Sequence, residues 1–396
     1  MVFQKKKIII IFSLILLLGG SFYSGYFFSQ SRTECPVCKP EDVDFSLFWE
    51  SWKTLKERFV DSTKFDTQKM IYGAISGMVN SLEDPYTVFF NPDERKRFLD
   101  DVQGSFEGIG IEIDVRKNQL QVVSPLEGTP AKAAGLRAGD KIIKINDTPT
   151  LDLTVDEAVK LIRGKKGTDV TLTIFRDDWN ESKEIKITRD VVVVPSLKWE
   201  IKEVDGQQIV YLQLYQFSEK AGSDFRQTAL EILSNPSRKI ILDLRNNPGG
   251  YLDISQEIAG WFLKRGDTVV IEDYGAEKKD ELKSDGPSKF LDYQIVILIN
   301  QGSASASEIL AGALKDNRNI KLIGEKSFGK GSVQQMEELS DGSALKITIA
   351  KCLTPKGESI SEKGLEPDIK VEMTEDDYKN EKDPQLDKAI EIIKGM

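Results

Sequence analysis

From residue 207 onward the chain alternates short apolar runs with stretches of helical spacing, and few architectures accept that order. "QIVYLQL", "KIILDL", "QIVILI", "IKLIG" and "ALKITIAKCLT" have strand length and are rich in Ile, Val and Leu. Between them lie "AGSDFRQTALEILSN", "YLDISQEIAGWFLKRG" and "ASEILAGALKDN", whose apolar residues recur at helical spacing. This alternation predicts an α/β core with substantial parallel pairing, because each helix carries the chain back across the sheet. "DPQLDKAIEIIKGM" reads as a terminal amphipathic helix over 374–396.

A chain of 396 residues is too long for one small core, so several domains are expected. Helical spacing runs from 43 to 103, in "LFWESWKTLKERFV" and "MIYGAISGMVNSL", with a turn in "DPYTVFF" and a helix start at Pro92. From Gly104 the pattern changes to short β segments separated by glycine, with one helix at "TVDEAVKLIRG" opened by a Thr154–Glu157 capping box. The expected divisions are 1–30, a linker at 31–42, a helical region at 43–103, a β-rich module at 104–177, a core at 178–373 and the tail. The class is thus mixed α/β and α+β, multidomain.

Lys5, Lys6 and Lys7 precede an uncharged stretch from Ile8 to Gln30. About 20 apolar residues suffice for a helix to cross a bilayer. The lysines place the stub in the cytoplasm and the rest of the chain outside the membrane. No small-x-small cleavage pattern follows, which favours an uncleaved anchor over a signal peptide. Cys35 and Cys38, in "CPVC", read as a linker disulfide, and Cys352 as a buried core thiol.

Composition removes whole mechanisms. The chain has no histidine, so a Ser-His-Asp triad, a Cys-His dyad and an HExxH zinc site are excluded. Three cysteines are too few for a structural zinc site, and no cofactor motif is present, so no metal or cofactor is expected. The net charge of −10 argues against a nucleic-acid partner.

In "GSFEGIGIEI", Gly108 and Gly110 flank Ile109 at a strand start, where backbone N–H groups can turn inward around a carboxylate. With "SPLEGTPAKAAGLRAGDKIIKIND" behind it, 104–177 resembles a PDZ domain. That resemblance implies binding of a protein C-terminus along the strand, with Ile109, Ile111 and the helix face of Ala158, Leu161 and Ile162 lining an apolar pocket.

"NQGSASASEILAGALKDN" joins a strand to a helix and sets three serines two apart. Such a corner presents a nucleophile well, yet Ser305-Ala306-Ser307-Glu308 is equally a capping box. If a serine attacks, a lysine must accept its proton, which burial allows by lowering the lysine pKa. Lys330 stands out between Gly329 and Gly331, and an extended 330–334 would put Ser332 and Gln334 on its face. Ser327 and Lys330 also form S-x-x-K, but the glycines disfavour the helix turn that motif needs. The N–H of Ala306 and that of Gly249 or Gly250, in "NNPGG", are the candidate oxyanion donors.

"DPYTVFFNPDE", the PDZ-like segment, "ILDLRNNPGGYL", "GSASASEILAGALKDN" and "GEKSFGKGSVQ" occur in that order, and from residue 43 the chain resembles the carboxy-terminal processing peptidases. The resemblance implies a crotonase/ClpP-like α/β serine protease core, with Ser305 as nucleophile, Lys330 as general base and Gln334 supporting the lysine. It implies protein or peptide substrates with a free apolar C-terminus. An anchored PDZ adaptor with an inactive protease domain is the competing reading, and a homo-oligomer or an adaptor partner is left open.

Overall fold

The computed structural model describes residues 43–396 except 117–118, 127, 138, 152, 177–178, 375, 378–379 and 381. The expected membrane anchor and the "CPVC" pair lie outside the described residues. Among the described residues no helix is long and apolar enough to cross a membrane.

The chain divides at Ile71 into two compact units. In the first, the helix Ser46–Arg58 carries Phe48, Trp49 and Trp52, and Trp52 meets Phe65 edge-to-face at 5.6 Å. The helix Thr67–Asn80 runs on into the second unit.

The second unit is built on a six-stranded sheet in the order Leu197–Val204, Gln207–Leu214, Lys239–Asp243, Gln294–Ile299, Lys321–Gly324, Ile369–Lys370. The first pair is antiparallel and every later pair parallel, as the strand–helix alternation predicts. Side chains alternate between the faces. Ile240, Leu242, Ile295 and Ile297 enter a core covered by the helices Ala221–Leu233, Leu252–Phe262 and Ala306–Arg318. Ile241, Val296 and Leu298 point to the opposite face, where the terminal helix Pro384–Lys394 packs Ala389 and Ile393 against them.

Ala344–Leu353, expected among the strands of that sheet, belongs to a second, antiparallel one. There it pairs with Val88–Phe90, Thr268–Asp273 and Ser332–Glu338. The reason is the short turn at Ser340–Ser343, which folds the strand back on its predecessor as a hairpin, whereas parallel pairing needs a crossover.

The β-rich module holds the sheet Ile111–Arg116, Gln119–Pro125, Lys141–Ile145, Asp169–Phe175, Lys183–Thr188. This sheet continues past 177, and Asp190–Val193 returns to pair with Ser105–Gly108. Ile185, Ile187 and the valines at 191–193 mark strands in the sequence but not the sheet that they join.

The terminal helix closes the core sheet's second face. Ile393→Ala, at a position with no exposure, should cost about 2–5 kcal/mol, read as a lower urea midpoint. An unchanged midpoint would mean that the helix contributes nothing to the core.

Candidate functional site

The strand Gln294–Ile299 ends in a loop that delivers Ser305 at the N-terminus of the helix Ala306–Arg318. Ser305 sits at φ 56°, ψ −118°, a conformation costly for a residue with a Cβ. The loop is pinned to the Asn246–Gly250 turn. Ala304 N–H donates to the Asn247 carbonyl at 3.0 Å, and Ser307 Oγ to the same carbonyl at 2.9 Å.

These bonds separate the serines. Ser303 Oγ donates to the Leu244 carbonyl at 2.8 Å, and Ser327 Oγ to the Glu308 carboxylate at 2.6 Å. With Ser307 also committed, Ser305 is left without a side-chain cap bond. Its backbone N–H donates to the Glu308 carboxylate at 2.9 Å, while Glu308 N–H goes to the Ser305 carbonyl. Glu308 N–H also approaches Ser305 Oγ as in a capping box, but such a contact takes only a lone pair, and the hydroxyl proton stays uncommitted.

Lys330 arrives on the loop that follows the strand Lys321–Gly324. Gly331 lets that loop press against Ile360 and Ser361, since a Cβ there would lie 2.4 Å from the Ser361 nitrogen. The ammonium faces the Tyr86 ring at 5.4 Å from its centroid. Burial holds the Lys330 pKa below the ordinary lysine value, and the charge of Glu308 partly opposes the shift. Gln334 donates its amide N–H to Ser332 Oγ at 2.6 Å and to the Ser332 carbonyl at 3.1 Å, and no hydrogen bond joins it to Lys330. No hydrogen bond joins Ser305 Oγ to Lys330 in this structure.

Ser305, Ala306, Gly249, Gly250, Lys330 and Gln334 line one cavity of about 600 Å³. Gly249, at φ +99°, lies so close to the serine turn that a Cβ would fall 2.7 Å from Ser305 Cβ. Its N–H is taken by the Asn247 side chain at 2.9 Å. The N–H groups of Gly250 and Ala306 make no hydrogen bond among the described residues.

A second cavity, of about 660 Å³, is lined by Ile109, Gly110, Ile111 and Ile162, together with Val159 and Arg163. Gly108 is absent from it. Ala158 faces the module's core and Leu161 packs beside that core, a helical phase one residue off the expected face. Arg163 leaves this groove to clamp Asp101 at 2.7 and 2.9 Å, and Asp101 lines the serine's cavity.

Three residues escaped the sequence reading. Glu308, fully buried, accepts from Ser305 N–H, Ser327 Oγ, Gly329 N–H at 2.7 Å and Lys330 N–H at 2.9 Å. Burial pushes its carboxyl pKa up against the pull of those donors. In the sequence it resembles any helix-capping glutamate, and its partners lie about 20 residues away. Tyr86 over the lysine and Lys346 in the cavity wall reach the site only through the Val88–Lys346 strand pairing.

Comparisons with known proteins identify the family of the chain. The family described as "Peptidase family S41" matches residues 208–371, "PDZ domain" matches 99–175, and "Activating protease CtpB N-terminal domain" matches 29–94. The chain is 36% identical over 332 residues to the carboxy-terminal processing protease CtpA of Bacillus subtilis (strain 168), covering 84% of this chain and 70% of that one. It is 40% identical over 310 residues to a CtpA-like serine protease of Staphylococcus epidermidis, covering 78% of this chain and 62% of that protein's length. The solved photosystem II D1 C-terminal processing protease matches with 28% identity and a TM-score of 0.55, covering 82% of this chain and 92% of that one.

Glu308→Gln should test the hub, because an amide offers one acceptor oxygen and turns its own N–H groups toward donors. A stability loss on the order of 3 kcal/mol is expected in urea unfolding. An unaltered unfolding midpoint would show that the four bonds carry no weight.

Proposed function

This chain belongs to peptidase family S41, and from that premise we propose that it is an extracytoplasmic serine endopeptidase that trims proteins near their C-terminus, anchored by residues 8–30. The observation that carries the reading is the free hydroxyl of Ser305, held in a strained turn, in one cavity with a half-buried lysine of lowered pKa. In this reading Ser305 Oγ attacks the scissile carbonyl carbon as neutral Lys330 takes its proton. The oxyanion is received by the unpaired N–H groups of Ala306 and Gly250, since the Gly249 N–H is already committed. The Lys330 ammonium then protonates the leaving amine, and water activated by the same lysine hydrolyses the acyl-enzyme. Substrate closure brings Ser305 and Lys330 into hydrogen-bond contact and turns Gln334 from Ser332 to the lysine.

The PDZ-like groove receives the substrate tail, with its carboxylate at the Ile109–Gly110 backbone and its apolar terminal side chain beside Ile162. Arg163 connects that groove to Asp101, so tail docking bears on the wall of the catalytic cavity. Coupling requires the tail to bind the aligned arrangement more tightly than the resting one.

Ser305→Ala and Lys330→Ala should each abolish cleavage of an unfolded protein, and the double variant should be no worse than either. Activity retained in Ser305→Ala would move the nucleophile elsewhere.

The pH profile has a definite sign. Protonated Lys330 cannot accept a proton, so the rate rises with pH through a folded-state pKa below 10.5. Because the unfolded lysine holds its proton to higher pH, the stability cost of burying it also falls over that same interval. A flat rate profile, with chemistry shown to be limiting, would rule out Lys330 as the base.

For the groove, cleavage of one substrate with a free or an amidated C-terminus is compared in the wild type and in Arg163→Gln. A free-terminus preference that shrinks in the variant is expected. Identical behaviour of both substrates in the wild type would make the groove a bystander.

A further inference from the structure

The catalytic cavity contains a second lysine that the mechanism does not use. Lys346 lies in the strand Ala344–Leu353, opposite Val88 on one side and Met336 on the other. Its ammonium is 5.5 Å from the Phe90 ring centroid and 5.0 Å from that of Phe98, and it lines the same cavity as Ser305 and Lys330. The two rings take the side of the cation but offer no acceptor oxygen.

Among the described residues, no carboxylate lining this cavity is free to pair with Lys346. Asp101 is the sole acid among its lining residues, and Arg163 occupies both carboxylate oxygens. Asp84, whose charge acts on Lys346, is spent on Tyr86 N–H at 3.1 Å and Thr87 Oγ1 at 2.6 Å. Neither Lys330 nor Lys346 makes a side-chain hydrogen bond to an acid. The buried Glu308 spends its oxygens on Ser305 N–H, Ser327 Oγ and the N–H groups of Gly329 and Lys330, so Lys346 is left as an amine in the cavity wall that no carboxylate caps. Burial and the neighbouring Lys330 both disfavour the charged form of Lys346. An entering anion relieves that penalty.

We propose that Lys346 is the subsite for a substrate carboxylate, supplied by an acidic side chain beside the scissile bond or by the free C-terminus of a short tail. This rests on the peptidase reading above. The lysine is a specificity residue in this role. It pairs with an anion on the substrate, and the apolar wall formed by Phe98, Leu99, Ile309, Val333 and Met336 takes the neighbouring side chain.

The test uses the full chain and a peptide that it cleaves at one bond, mapped by mass spectrometry. Glu and Gln are exchanged at each position flanking that bond, and each peptide is made with a free and an amidated C-terminus. The readout is the ratio of kcat/KM for acidic over neutral peptide, which is internal to each variant and insensitive to partial unfolding. The wild type should favour the acid about 10-fold at one position. That ratio should fall to about 1 in Lys346→Gln and Lys346→Met and persist in Lys346→Arg. A preference tied to one Glu identifies the side chain as the source. One tied to the free terminus, and only for bonds close to it, identifies the C-terminus.

Three results overturn the proposal: no acid preference in the wild type, a preference that survives in Lys346→Gln, or equal losses on both peptides with a displaced pH profile. The last would make Lys346 a positioning residue for Lys330. Cleavage of the neutral peptide by the wild type, lost in Ser305→Ala, keeps the peptidase reading standing whichever of these occurs. A wild type that cleaves no peptide overturns both readings together.

Discussion

One buried carboxylate holds the site together. Glu308 gathers the backbone N–H of Ser305, the hydroxyl of Ser327 and the backbone N–H groups of Gly329 and Lys330. A buried carboxylate is costly unless its lone pairs are filled, and here donors from two distant loops fill them. The serine turn and the lysine loop are therefore fixed to each other through a residue with no reacting atom. Breaking one of these bonds strands charge in the interior, so the hub resists partial loosening.

The same frame explains why four serines near the cavity are not equivalent. Ser303 and Ser307 stitch the loop to the Leu244–Asn247 segment, and Ser327 completes the Glu308 shell. Each of these bonds tightens the loop in which Ser305 keeps its strained backbone and free hydroxyl. A strained turn persists only when its surroundings overdetermine it, and the serine bonds are those surroundings.

The antiparallel sheet adds what the core sheet cannot. Val88–Phe90 pairs with Ala344–Lys346 and brings the Tyr86 ring over Lys330 and Phe90 beside Lys346. The helix Pro92–Val102 then closes the cavity with Phe98, and Arg163 ties that helix to the PDZ-like groove. Desolvation of the lysine is thus produced by elements far from it in sequence, while its backbone is held by the core.

The sequence by itself determined the alternating core, the capped helices at Pro92 and Val155, the PDZ-like module, and the exclusion of histidine chemistry. These follow from local periodicity, turn residues and composition, which need no knowledge of distant partners. It also brought Ser305, Lys330, Ala306 and the Gly249–Gly250 pair forward, leaving the choice between the two glycines open. Only the tertiary structure decided that Ala344–Leu353 leaves the core sheet, that Val159 and not Ala158 faces the groove, and that the Gly249 N–H is already spent while that of Gly250 is not. It alone revealed Glu308 as the hub and Lys346 as a second cation in the cavity. Hydrogen bonds between loops and the desolvation of a charge depend on which surfaces meet, and residues 20 to 260 positions apart carry no local trace of that meeting in the sequence.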